Sequence, residues 1–395
     1  MTIRDRVLIA GAGPVGMVAA ASLVRHGMPV TVLEANDALS SESRASTFHP
    51  PTLDMLDRLG AAEPLIAQGL TAPQFQYRTK RDGLIAQFDF GTIADATAHP
   101  FRLQCEQSKL TQILLQQLRG KANFEIVFSS PVSGVTQMAG GVEVAVMRNG
   151  RMETETARFL IGADGARSET RRALDIEFEG FTWPERFLVV STPFDFHSAI
   201  NDLVCVNYVA DPRRWHFLLR TPGAWRIMFP IAGDESDELA LSPGFVQTLM
   251  KELVPGIDRY EIVHATLYRV HQRVAKAFRK GRVFLIGDAA HVNNPLGGMG
   301  MNGGIHDAIN LTDRLAEVWS GSKGDAELDR FEKQRRLVTK EYVEKQSIQN
   351  KKNLEAPGTE FRDRLIEIAA DARKTRDYLL AVSMISSLKR AQELG

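Results

Sequence analysis

Apolar and polar positions change rhythm several times along the chain, and each change marks an element. Val7 to Ala10 is a short apolar run that enters the turn Gly11-Ala12-Gly13-Pro14-Val15-Gly16. A helix-compatible segment follows, and a second apolar run, Val30 to Leu33, closes on Glu34. This order predicts a strand–turn–helix–strand unit. Leu53, Leu56 and Leu59 then fall on one face of a helix that Gly60 stops. Short strands are expected in FQYRT and LIAQFDF, and an amphipathic helix from Glu106 to Leu118. Strands follow at Phe124 to Phe128, Val132 to Gln137 and Val142 to Val146, with Gly140-Gly141 and Asn149-Gly150 as hairpin turns. Phe159 to Gly162 is a buried strand ending in Ala163-Asp164-Gly165. From about 176 to 275 the runs FLVVSTPF, LVCVNYV, WHFLLR and AWRIMFPI predict a separate antiparallel sheet, with a helix near Phe245 to Leu253. A last buried strand leads to Gly287-Asp288, and the remainder reads as helix: Met301 to Trp319, Ala326 to about Lys351, and Thr359 onward.

The first unit carries the chemistry of a dinucleotide site. Gly11 permits the tight turn, Gly13 lets the backbone approach a pyrophosphate, and Gly16 lets helix and strand pack closely. Pro14 and Val15 open the helix, whose unpaired N–H groups and positive dipole end face the phosphates. Glu34 can accept hydrogen bonds from a ribose. Two further aspartates end buried strands, where open α/β sheets bind ligands. Asp164 lies in Gly162-Ala163-Asp164-Gly165-Ala166-Arg167-Ser168-Glu169-Thr170-Arg171, and Asp288 in Gly287-Asp288-Ala289-Ala290-His291. Either alone would serve equally as a helix cap. Their joint occurrence behind the glycine turn favours a cofactor role. The run Gly297-Gly298-Met299-Gly300-Met301-Asn302-Gly303-Gly304 opens a helix and supplies backbone donors of the kind that stabilise negative charge on a flavin ring.

Composition narrows the setting. Of 395 residues, 48 are Lys or Arg and 48 are Asp or Glu, so nothing points to a nucleic-acid partner. The two cysteines, Cys105 and Cys205, match no metal spacing and fit a reduced, cytoplasmic enzyme. No stretch suggests a signal peptide or stable membrane association.

The three motifs, in this order and spacing, resemble the class A flavoprotein aromatic hydroxylases, the p-hydroxybenzoate hydroxylase-like monooxygenases. The resemblance covers nearly all of the chain. It implies an α/β fold: a Rossmann-like FAD-binding domain (1–72, 98–175 and 276–395, with C-terminal helices) and an antiparallel-sheet substrate domain (73–97 and 176–275). It implies FAD held at Gly11, Gly13 and Gly16, with Glu34 on the adenosine ribose and Arg44 against the flavin. Gln104 and Asp288 would lie along the ribityl chain, and Gly300, Met301 and Asn302 under the pyrimidine edge. Asp164 and Gly165, with Arg171, resemble the element linked to both FAD and NAD(P)H. Where family members often have Gly-Gln-Gly, this chain has Gly298-Met299-Gly300, which puts any side-chain role there in doubt.

The activity so implied is hydroxylation of a small phenolic or hydroxypyridine-type ring with NAD(P)H and dioxygen through a flavin hydroperoxide, by a monomer or homodimer. The substrate must be deprotonated, which calls for a His or Tyr with a suitable pKa. Tyr208, His216, Tyr268 and His49 are the candidates, and Pro295 matches a family proline whose carbonyl faces the substrate. Arg213, Arg214, Arg220 and Arg226 are the candidates for a substrate carboxylate. Competing readings are a flavin oxidase of a small amine or hydroxy acid, a flavin-dependent halogenase, and a non-catalytic flavin-binding protein.

Overall fold

The computed structural model describes residues 2–41, 45–355 and 359–394. Val7–Ala10 and Val30–Leu33 are buried at every position, which is why they are apolar throughout rather than alternating. Among the described residues they sit within a six-stranded sheet. Its order is Arg279–Lys280, Val283–Leu285, Phe159–Gly162, Val7–Ala10, Val30–Leu33, Phe124–Val127. The pairings are parallel except at the Arg279–Lys280 edge.

The helices Pro14–Arg25, Gln107–Leu118 and Met299–Trp319 pack on one face of this sheet. On the other face, Leu8, Ala10 and Leu33 meet Val142, Val144 and Val146 of an antiparallel three-stranded sheet, Val132–Met138, Gly141–Arg148 and Arg151–Ala157. Asn149 and Gly150, both at positive φ, turn its outer hairpin as expected. The chain leaves Val7–Ala10 toward Val30–Leu33 on one side and meets Phe159–Gly162 on the other. The turns at Gly11, Ala163 and Gly287 therefore stand side by side at the carboxyl ends of neighbouring strands, the place where open sheets hold ligands.

The second large sheet has eight strands among the described residues. Its order is His291–Val292, His264–Ala275, Phe178–Thr192, Trp225–Ile231, His216–Arg220, Val206–Ala210, Gln74–Thr79, Gly83–Asp89. It departs from the expected antiparallel arrangement at one pair: Val206–Ala210 runs parallel to Gln74–Thr79. The Gln74–Thr79 hairpin comes from far earlier in the chain, and a strand added by a long connection is free of the hairpin's antiparallel constraint. One face of the sheet covers the Pro243–Leu253 helix through Leu218, Ile227, Phe229, Val246 and Leu249. The other meets the C-terminal helices Thr359–Ala370 and Ala372–Val382 through Leu365 and Leu379. Val274 pairs with His291, so this sheet is hydrogen-bonded directly to the segment after Gly287-Asp288.

The helix expected from Ala326 to about Lys351 is interrupted. Glu327–Val338 and Lys345–Glu355 are α-helical, and Thr339–Glu344 between them is a π turn. Such turns often border functional sites. Among the described residues no helix is long and apolar enough to cross a membrane.

Candidate active site

The glycine turn is built by close packing. Gly11 has φ +101°, and a Cβ there would lie 2.5 Å from the Ala163 carbonyl oxygen. A Cβ on Gly16 would lie 2.1 Å from the Gly11 oxygen, whereas one on Gly13 would meet nothing within 4 Å. Gly11 and Gly16 thus hold strand, turn and helix together, and Gly13 leaves space beside the backbone. The helix begins with Pro14 and has no side-chain cap, so the amides of Val15 and Gly16 have no acceptor within it and suit an anion. Glu34 braces the turn: Oε2 accepts the Ala12 N–H at 2.7 Å, and Oε1 accepts the backbone and side-chain N–H of Asn36 at 2.9 and 2.7 Å. Oε2, with one bond accepted, retains acceptor capacity.

Asp164 spends its carboxylate within its own loop. Oδ1 accepts the Ser168 hydroxyl and Oδ2 the Thr170 N–H at 2.9 Å, while Gly165 at φ +77° turns the chain. Arg171 bridges two motifs. Nη1 donates to the Ala289 carbonyl and Nη2 to the Ala166 carbonyl, each at 2.9 Å, and the guanidinium lies 3.9 Å from the Phe178 ring centroid. Asp288 is exposed at the carboxyl end of Val283–Leu285. Arg44 lies outside the described residues.

Behind Gly287 lies a buried charge cluster. Asp307 Oδ2 accepts the Gly287 N–H at 3.1 Å and His291 Nε2–H at 2.7 Å, and Oδ1 accepts Arg335 Nε–H at 2.7 Å. Burial pushes the Asp307 carboxyl up, but Arg335 and His291 together hold it below the usual carboxylate range. His291 therefore orders this loop from beneath.

At the start of Met299–Trp319, Gly298 adopts φ +66°. The Asn302 side chain donates to the carbonyls of Thr47 (2.8 Å) and Gly298 (2.6 Å) and accepts the His49 N–H at 2.9 Å. It locks the loops together, leaving main-chain groups of Gly300, Met301 and Asn302 as what this corner can offer a ligand. Met299, in place of the family glutamine, packs with Val343 and Met384. Gln104 Oε1 accepts the Thr47 hydroxyl at 2.8 Å, but its Nε2 is buried without a partner. An orphaned amide donor at this point fits a hydroxylated cofactor chain. His49 Nε2 bonds the Gly297 carbonyl at 2.7 Å, so Nε2 carries the proton and Nδ1, buried and unpartnered, is an acceptor. Burial, then Arg102, push His49 well below the usual imidazole value.

Beside this loop a narrow aromatic recess is lined by Phe75, Tyr77, Arg102, Tyr208, Tyr378 and Met299 among others. Tyr208 stacks on Tyr77 at 5.2 Å and on Phe217 at 5.6 Å. His216 is not brought to it. Tyr208 pairs with Phe217 across the ladder, so the next residue, His216, points through the sheet to the opposite face, where its ring lies against Phe229. Tyr208 and His216 cannot share one relay. Pro295 is exposed, with its carbonyl accepting the Gly298 N–H at 2.9 Å. Tyr268 is exposed on its strand.

Of the arginine candidates, Arg213 is exposed, Arg214 is paired with Glu235 at 2.7 Å, and Arg220 lies over Trp225. Arg226 is buried on the same side of the sheet as Leu219, its ladder partner. Arg102, which sequence patterning did not single out, is the arginine lining the recess.

Burial holds His216 down to about 4, and holds His306, beside Arg335, down to about 3. The unfolded chain titrates near 6.5, so below that pH it binds protons that the folded chain does not, and stability falls as pH falls. His216 alone is expected to cost about 2 kcal/mol near pH 5 relative to pH 7.5. Carboxylates held low, Asp307 and Glu155 among them, contribute chiefly within and below the ordinary carboxylate range, so the loss between about pH 6.5 and 5 reports mainly the histidines. Denaturant midpoints at the two pH values should differ, and the difference should narrow in His216→Leu while His306 and His49 keep the rest of it; equal midpoints in the parent chain would exclude this account.

The FAD binding domain family matches residues 4–346. The chain is 32% identical over 399 residues to para-nitrophenol 4-monooxygenase of Pseudomonas sp. (strain WBC-3), covering 98% of this chain and 97% of that one. It is 35% identical over 403 residues to 6-hydroxy-3-succinoylpyridine 3-monooxygenase HspB of Pseudomonas putida (strain DSM 28022 / S16), covering 96% and 98%. The crystal structure of p-nitrophenol 4-monooxygenase PnpA from Pseudomonas putida DLL-E4 superposes with a TM-score of 0.92 at 30% identity, covering 98% of this chain and 99% of that one.

Proposed function

The chain belongs to the class A flavoprotein aromatic hydroxylases, and on that premise we propose that it hydroxylates a small phenolic or hydroxypyridine-type ring using FAD, NAD(P)H and dioxygen. The observation that supports this best is the meeting of the aromatic recess with the glycine loop at Gly297 and Met299. A planar ring stacked among Phe75, Tyr77 and Tyr208 would lie beside the place where the loop amides receive the flavin. The same reading assigns 1–72, 98–175 and 276–395 to FAD binding and 73–97 and 176–275 to the substrate.

The residues present fit the cofactor. The space beside Gly13 and the amides of Val15 and Gly16 suit the pyrophosphate, and Glu34 the ribose. Gln104 Nε2 and Asp288 suit the ribityl hydroxyls, and the main chain of Gly300 to Asn302 the pyrimidine edge. When bound, FAD would supply the redox chemistry, by which two electrons from NAD(P)H and dioxygen put one oxygen atom on the ring and the other into water. The chain's part is to bind the ring, exclude water and manage one proton. His49, neutral and with Nδ1 unpartnered, can accept a hydrogen bond, but burial and Arg102 disfavour its holding that proton. Tyr208 supplies a hydroxyl within the recess.

The test is a screen of 4-nitrophenol and hydroxypyridine acids against the FAD-loaded enzyme. NAD(P)H and oxygen consumption should rise several-fold together, with hydroxylated product. Peroxide formed from an amine or hydroxy acid without nicotinamide would instead establish the oxidase reading.

A further inference from the structure

We propose that Arg102 is the residue of the aromatic recess that binds an oxyanion carried by the substrate ring. The inference rests on reading the recess as the substrate site. Arg102 and Gln104 belong to the short strand Arg102–Gln104, and alternation turns both to one side while Leu103 enters the main core. The strand therefore aims one side chain at the cofactor cradle and another at the recess.

The surroundings of Arg102 are those of a cation awaiting a partner. It is 3% exposed. Its guanidinium carbon lies 4.8 Å from the Phe75 ring centroid and 5.4 Å from that of Phe90. Nη1 donates to the Tyr208 hydroxyl at 3.3 Å, and Nε is buried with no acceptor. Among the described residues no carboxylate stands at ion-pair distance from it. Arg335 and Arg6, comparably buried, are each paired with one, Asp307 and Glu155 respectively. A buried charge without a counter-charge is costly.

Tyr77 and Tyr378 do not supply that counter-charge. Burial pushes Tyr77 well above the ordinary phenol value and Tyr378 up to about 12, so both stay protonated although Arg102 favours their ionised forms. The missing anion must then come with the ligand. The aromatic walls select a ring, and the planar guanidinium suits a phenolate or a carboxylate attached to it. Binding a phenol as its phenolate would also raise the electron density of the ring that is to be hydroxylated.

Two probes separate the sources of the oxyanion. 4-Nitrophenol offers a phenolate and no carboxylate; benzoate offers a carboxylate and no phenol. Each is titrated into the FAD-loaded enzyme, without NAD(P)H, at a pH where free 4-nitrophenol is mostly protonated. Either the bound chromophore takes the yellow phenolate form, or benzoate competes for the recess. Arg102→Gln should weaken whichever probe uses the site by about 10- to 100-fold, and Arg102→Lys should restore part of the loss. Bound 4-nitrophenol in its neutral form together with no competition by benzoate would overturn the proposal. So would equal affinities in the parent enzyme and Arg102→Gln. The wild-type titration decides alone where the glutamine variant does not fold. Because no turnover is needed, an enzyme that binds these anions but oxidises NAD(P)H with no compound of the phenol and hydroxypyridine screen would count against the hydroxylase reading and leave this one standing.

Discussion

Asp307→Ala is expected to lose about 3–5 kcal/mol of folding stability. The carboxylate is fully buried and accepts from Arg335, His291 and the Gly287 amide at once. Its removal leaves the Arg335 guanidinium, 1% exposed and already with Nη1 unpartnered, as a lone buried cation. The loss should thus arise largely from the stranded partner, which predicts a specific rescue. Asp307→Leu combined with Arg335→Met should recover most of the stability, since an apolar pair of similar volume carries no desolvation penalty. Recovery of flavin affinity should lag behind, because the Gly287 amide and His291 no longer have a common acceptor beneath the loop. Urea unfolding of the two variants and the parent chain, with flavin content read from visible absorbance, tests both parts. A loss below about 1 kcal/mol in Asp307→Ala would show that the cluster contributes little.

Gly16→Ala and Gly13→Ala should separate packing from cofactor approach. The added methyl at position 16 would stand 2.1 Å from a backbone oxygen. A main-chain oxygen within a glycine turn cannot step aside cheaply, so the variant is expected to lose both stability, by about 1–3 kcal/mol, and nearly all of its flavin. At position 13 the methyl meets nothing, and the backbone there (φ −66°, ψ 175°) is one that alanine adopts readily. Gly13→Ala should fold with a near-parental midpoint and still bind flavin at least about tenfold more weakly, because the methyl occupies the space reserved for the pyrophosphate. Unchanged flavin affinity in Gly13→Ala would place the pyrophosphate elsewhere.

The elements that could be read directly from the chain are those whose burial leaves a one-dimensional trace. Val7–Ala10, Val30–Leu33 and Phe159–Gly162 are covered on both faces and read as unbroken apolar runs. Arg151–Ala157 is exposed at its first four positions; its pattern gives no strand, and only the Asn149-Gly150 turn before it implies one. The relative placement of Tyr208 and His216 was illegible for a different reason. Both faces of that sheet are buried, so both phases of the alternation are apolar, and nothing in LVCVNYV or WHFLLR says which phase meets the site. Arg102 was hidden because its meaning lies in what surrounds it. An arginine next to Phe101 is unremarked until the fold shows that it has no carboxylate. Arg102 does stand two residues before Gln104, and that spacing was the available signal, had Arg102 to Gln104 been read as a strand.

The cofactor cradle is drawn from three distant stretches: the glycine turn, the loop after Phe159–Gly162, and the Gly287 turn with the Met299–Trp319 helix that packs against it. A Cβ on Gly304 would lie 2.8 Å from the Gly287 Cα and 2.6 Å from a Val15 methyl, so this late helix is part of the wall on which the first turn rests. During synthesis the ribosome delivers the glycine turn first and that wall more than 250 residues later. A nascent chain short of residue 319 has the fingerprint but no closed cradle. Flavin capture is thereby a late event in the life of each polypeptide, and it doubles as a report that the chain has been made through to the helix that completes the site.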